Sequence, residues 1–164
     1  FDNSQDNTNL DYSGWVNFAE QGTELWTEQV FRGNGYTEFS AYRTFEDVNI
    51  GWLVTPGFDL AGSTNSFINF KLAQHHLDDD QNNTLEVFIS NDFDGSNVLS
   101  ATWNKLSVQI PNMSNSWYAF QDSGLIDVSS YEGTIHIGFK YVGSGTNTSL
   151  DGGYFLDDIL FLKK

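Results

Sequence analysis

The chain contains no cysteine. That excludes a disulfide framework and any site built on a thiolate. Cationic side chains are also scarce: seven Lys plus Arg stand against 22 Asp plus Glu, a formal net charge of -15. Binding to nucleic acid rests on Lys and Arg neutralising phosphate, so no nucleic acid partner is expected. The same shortage disfavours anionic membranes and sulfated or uronate polymers, while divalent cations are attracted. No apolar run approaches the ~20 residues that span a bilayer, so no membrane insertion is expected either. The first residues, Phe1-Asp2-Asn3, include no initiator Met and no signal peptide. The expectation is one domain over residues 1–164, a mature module excised from a larger secreted protein and tethered to other domains.

What the chain does have is rings: fourteen Phe, seven Tyr and five Trp. Some must build a core. Others lie on an acidic surface with few groups to grip an anion, and such a surface suits a neutral, hydroxyl-rich ligand. The apolar residues recur with period two. Ile68, Phe70 and Leu72 alternate with Phe67, Asn69 and Lys71. Leu85, Val87 and Ile89 alternate with Glu86, Phe88 and Ser90. Ile135, Ile137, Phe139 and Tyr141 alternate with His136, Gly138 and Lys140. Turn formers separate the runs, among them Gly33-Asn34-Gly35, Gly62-Ser63-Thr64-Asn65 and Asp151-Gly152-Gly153. Many short strands with uneven connections predict an all-β protein, a jelly-roll β-sandwich of two antiparallel sheets.

Several stretches together resemble a known family. They are Gly14-Trp15, Glu24-Leu25-Trp26, Tyr36 to Tyr42, Trp52-Leu53-Val54-Thr55-Pro56, Leu85 to Asp92, Ala101-Thr102-Trp103 and Tyr154-Phe155-Leu156-Asp157-Asp158-Ile159. In this order they resemble choice-of-anchor J, or cleaved-adhesin-like, modules: jelly rolls related to MAM domains in large secreted bacterial proteins. The resemblance implies secretion or cell-surface display, an adhesion, carbohydrate-binding or accessory role, and often one structural calcium ion.

Asp157 is the foremost candidate ligand for that calcium. A carboxylate in an apolar strand is costly to bury unless it is paired or holds a metal, and calcium accepts six to eight oxygens. Related jelly rolls place calcium where the first and last strands meet, so Asp2 is the companion and Asp47 a further candidate. The alternative is a carboxylate that merely anchors a loop. Asp92-Phe93-Asp94-Gly95 fails as an EF-hand, because Ala101 stands where a Glu is needed, and it reads as a turn.

For a sugar, the candidate contacts are Trp26, Tyr36, Trp103 and Trp117, in polar or glycine-rich settings, with His75 and His76. A flat ring can stack on a pyranose face, worth about 0.5–1.5 kcal/mol beyond burial, and imidazole can bind hydroxyls. Neighbours on a strand face opposite ways, so His75 and His76 are not expected to act on one ligand atom together. No Gly-x-Ser-x-Gly elbow occurs and the acids gather in loops, so no enzyme is expected. The reading is a monomeric, non-catalytic carbohydrate-binding module for a neutral polysaccharide, a β-glucan such as laminarin. The alternative is an adhesion or spacer module that binds a protein partner or no ligand.

Overall fold

The computed structural model describes residues 1–164. Thirteen strands follow one another: β1 (Thr8–Asn9), β2 (Val16–Gln21), β3 (Thr27–Phe31), β4 (Asn34–Ser40), β5 (Asn49–Val54), β6 (Phe58–Asp59), β7 (Ser66–His75), β8 (Thr84–Ser90), β9 (Asn104–Lys105), β10 (Gln121–Asp122), β11 (Ile126–Asp127), β12 (Thr134–Gly143) and β13 (Gly153–Lys163). The only helical element is a single 3-10 turn at Val98–Ser100.

The strands form two sheets, and every pairing is antiparallel. The first runs β1-β3-β4-β13-β7-β10, with β11 also on β7. The second runs β2-β5-β12-β8-β9, with β6 on β12. The expected β-sandwich is therefore the observed one.

The inward residues of both sheets make one core. The alternation read from sequence holds: Ile68, Phe70 and Leu72 on β7, Leu85, Val87 and Ile89 on β8, and Ile135, Ile137, Phe139 and Tyr141 on β12 all turn inward and join one cluster. Phe39 stacks on Tyr141 at 4.4 Å, and Phe70 meets Phe139 edge-on at 5.1 Å. The Tyr141 hydroxyl donates to Gly152 O (2.7 Å) and accepts from Ala41 N (3.2 Å), so a polar atom in the core is satisfied. Burial raises its pKa far above the ordinary phenol value.

A second, smaller cluster lies on the outer face of the second sheet. Trp52, Val54, Phe93 and Val98 form it, with Phe88 and Trp103 packed against them. The segment from Asn91 to Trp103 folds over this face, and carboxylates pin it. Asp92 accepts from Ser90 Oγ (2.7 Å) and Thr102 N (2.8 Å); Asp94 accepts from Ser96 and Asn97 N. The Asp92–Gly95 stretch is thus a turn, as its sequence reads.

Hydrogen bonds to the ionised form hold Asp79, Asp92, Asp94, Asp122 and Asp127 below the usual aspartate value. The folded pKa lies below the unfolded one, so this stabilisation is present above about pH 4 and is lost as pH falls through the folded values. The melting temperature, followed by circular dichroism, is expected to drop on acidification below about pH 4. Asp92→Asn should flatten part of that drop, and a melting temperature that stays level or rises would contradict this account.

Candidate binding groove

The outer face of the first sheet carries a long depression, and the strand register explains its floor. Glu38 on β4 lies beside Thr27 on β3 and Phe155 on β13, and Phe155 lies beside Ala73 on β7. One row along, Ser40, Gly153 and His75 are neighbours. On the other side Tyr36 pairs with Gln29. Side chains in such rows share a face. Ala73 and Gly153 fill little of the floor, so the sheet is sunken there. The His75 ring lies across Gly153, where a Cβ would run into His75 Nε2.

The depression has a volume of about 680 Å³, and Glu24, Gln29, Tyr36, Glu38, His75, His76, Tyr118, Asp151 and Phe155 are among its lining residues. It continues into a second, more apolar hollow of about 500 Å³ lined by Phe31, Asn34, Tyr36, Tyr118, Phe120 and Phe155. Tyr36, Tyr118 and Phe155 border both.

The rings form a connected wall. Tyr36 lies 4.8 Å from Phe155, and Tyr118 stacks on His75 at 5.5 Å and 12°. Trp117 lies over the His76 ring at 4.1 Å. Tyr118 is 54% exposed and Trp117 51%, so both rings reach solvent. The loop that carries them is tied down by Gln74, whose Nε2 donates to Asn115 O (2.7 Å) and whose carbonyl accepts from Tyr118 N (2.8 Å).

The histidines depart from the alternation expected of them. β7 ends at His75, and His76 has φ +50°, in the left-handed region. That turn swings the second ring to the side of the first, and the two Nδ1 atoms lie 2.9 Å apart. His75 Nε2 lies 2.8 Å from Glu38 Oε1, at an ion-pair distance whose angle is poor for a hydrogen bond. Both imidazoles therefore line one groove.

The groove also gathers acids that sequence did not bring together. Burial raises the Glu24 carboxyl above the ordinary value, and the charge of Glu38 adds to it. Burial raises Asp151 too, and Asp78 pushes the same way, while the neighbouring histidines oppose. No Lys or Arg lines either hollow.

Of the candidate sugar contacts, Tyr36, His75 and His76 line the groove, and Trp117 stands at its rim. Trp26 and Trp103 are corrected. Trp26 is 0% exposed between the sheets, edge-on to Phe39, with Nε1 donating to Gly51 O (3.4 Å). No ligand reaches it. Trp103 belongs to the second sheet's outer cluster, 5.3 Å from Trp52, with Nε1 donating to Val98 O (2.8 Å). It is a plug under the Asn91–Trp103 segment, far from the groove's strands. Tyr118, Phe155, Gln29, Glu24 and Glu38 also line the groove and were not singled out from the sequence. Only the cross-strand register places the residues of β3, β4 and β13 together; the aromatic pair Trp117-Tyr118 was the one visible sign in the sequence.

Asp2, Asp47 and Asp157 are not gathered at one point. No three His, Cys, Asp or Glu side chains anywhere in the chain are placed to hold a metal together. Asp47 accepts from Thr146 Oγ1 (2.8 Å) in the loop between β4 and β5. Asp2 is exposed in the opening turn. Asp157, only 4% exposed, accepts from Asn34 Nδ2 (2.8 Å) and Asp158 N (2.8 Å), and Lys71 is its neighbour on β7. These partners already meet the cost of burying the carboxylate. A bulge between Asp157 and Leu160, with Asp158 at φ +49°, then turns Asp158 outward to Lys71 (2.7 Å).

Comparison with known proteins places this geometry. No family model matches the chain, and no curated protein matches it in sequence. Among solved structures, the chain is similar to the K2 cleaved adhesin domain of Lys-gingipain: TM-score 0.60, 15% identity, 98% of this chain and 93% of that one. It is also similar to the K3 cleaved adhesin domain of Lys-gingipain from Porphyromonas gingivalis: TM-score 0.56, 18% identity, 92% of each chain. A third likeness is to a structure described as explaining the promiscuous specificity of carbohydrate-binding modules of the β-sandwich superfamily. Its TM-score is 0.50 at 12% identity, over 98% of this chain and 63% of that one. At these identities the likeness is one of fold.

Proposed function

We propose that the chain is a non-catalytic carbohydrate-binding module that holds a polysaccharide free of anionic groups across the outer face of its first sheet. One observation carries this reading: solvent-facing rings and hydroxyl-binding groups share one groove. Tyr118 offers exposed apolar surface for a pyranose face, with half-buried Tyr36 and buried Phe155 packed behind it. Gln29, Glu38, Ser40 and the two histidines offer donors and acceptors between them. Two hollows joined through shared rings suit a run of sugar units better than a single one. The likeness to a β-sandwich carbohydrate-binding module adds support at the level of fold. A β-glucan such as laminarin is the first ligand to test, and the setting proposed is the cell exterior, on a bacterial surface or secreted.

Isothermal titration against neutral and anionic glycans tests the reading. Binding to a neutral β-glucan in the micromolar range, about -8 kcal/mol, is the expected result. Binding only to sulfated or uronate polymers would overturn the charge argument. Binding to no glycan would leave the adhesion reading, which the likeness to cleaved adhesin domains and the exposed rings of Tyr42 and Phe45 favour.

A further inference from the structure

We propose that, among hydroxyl-rich polymers, the groove selects those that carry free amino groups, as polymers of glucosamine do. This rests on the reading that the groove binds a glycan, and it adds a charge preference that the reading does not contain.

The argument starts from the lining. Three carboxylates, Glu24, Glu38 and Asp151, border the groove, and no Lys or Arg does. Cations are scarce throughout, and three of the seven are paired with carboxylates outside the groove. Lys71 pairs with Asp158, Lys105 with Glu86 and Lys140 with Glu20. Arg32 and Arg43 lie over the rings of Phe31 and Tyr42, which border the hollows, at 5.1 and 4.8 Å, but neither makes an ion pair with a groove carboxylate. Inside the groove the basic side chains are His75 and His76: His75 Nε2 faces Glu38, and the two Nδ1 atoms face each other. Glu24 is given no cationic partner by any hydrogen bond or ion pair, though it is partly buried and close enough to Glu38 to feel its charge.

Such an arrangement is unfavourable when empty of positive charge and is relieved by it. An ammonium group on a sugar ring would supply the missing charge where the ring itself already stacks. Charge-assisted hydrogen bonds to carboxylate are the stronger kind, and the faces of Tyr36 and Tyr118 attract a cation as well as a pyranose. A free amine at C2 also occupies the position of a hydroxyl, so the same chain geometry serves both.

The test is a titration with β-1,4-linked oligomers of equal length built from glucose, N-acetylglucosamine or glucosamine. They differ only in the C2 substituent. Laminarin serves as the neutral control and a lysine oligopeptide as the charge control. The pH is set so that the amine is protonated and the carboxylates are ionised. The expected result is that the glucosamine oligomer binds about tenfold tighter than the glucose oligomer. That ratio should shrink as salt is added and should fall in Glu24→Gln. The ratio is the readout because a general loss of binding moves both ligands alike. The salt series needs only the native chain, so the proposal stays testable if the variant does not fold.

Equal binding of the three oligomers, or of laminarin alone, overturns the amine preference and leaves the glycan reading standing. A preference that persists unchanged in Glu24→Gln overturns the assignment to the groove carboxylates. Lysine oligopeptide binding as tightly as the glucosamine oligomer shows that charge alone is read, which also overturns it. Failure of every saccharide to bind removes the glycan reading, and this inference with it.

Discussion

Trp26→Ala is expected to destabilise the fold by about 3–5 kcal/mol, the usual cost of deleting a large buried ring. For a chain of this size that corresponds to a fall in melting temperature of roughly 6–20 °C. The size follows from where the ring sits. It is enclosed between the sheets, touches Phe39 edge-on and uses its indole N–H on Gly51 O. Its backbone is fixed as well: Asn17 Oδ1 accepts from Trp26 N (3.0 Å), and Asn17 Nδ2 donates to Trp26 O (2.7 Å) and Leu10 O (3.1 Å). Truncation leaves a void that the two sheets cannot close without moving those bonds. Thermal melts of the two proteins decide the matter. A loss of glycan binding at unchanged melting temperature would mean that Trp26 is a contact residue after all.

Tyr118→Ala is expected to show the reverse pattern. Removing this ring should weaken glycan binding by about 1–2 kcal/mol, roughly 5–30-fold in affinity, with little change in melting temperature. Tyr118 borders both hollows and stacks on His75 and on Phe155, yet more than half of its surface is open to solvent. Its side chain therefore contributes little to the core and much to the wall of the groove. The position carries φ +62°, a conformation that the backbone bond to Gln74 maintains in either protein. Titration with the best-binding glycan, beside a melt of the same sample, separates the two roles. Unchanged affinity would take Tyr118 out of the site.

The fold was legible because alternation on a strand reports its buried face directly. Every inward position read from β7, β8 and β12 is inward. The groove was legible only in part, for two physical reasons. First, it is a property of register: Glu38, Phe155 and Ala73 become neighbours through pairings that no local pattern encodes. Second, a ring's local polarity does not report its depth. Trp26 has Thr27, Glu28 and Gln29 after it and lies in the core, while Trp117 has similar company and stands in solvent. The histidines failed the alternation rule for a third reason, because a left-handed residue ends the strand's periodicity where His76 begins. The calcium site was drawn from one buried carboxylate. In the structure the Asn34 amide and a backbone N–H donate to that carboxylate.

The place of β13 has a bearing on how this protein comes to function. It lies between β4 and β7, and its Asp157 meets Asn34 from 123 positions along the chain. The floor of the groove is thus closed by the last strand of the sandwich, inserted into the middle of a sheet rather than added at its rim. Before insertion, β4 and β7 each present an unpaired edge and an unfinished apolar face to the surroundings. The groove is complete only once that strand is in place, and pairings of such long range are among the slower steps a chain makes.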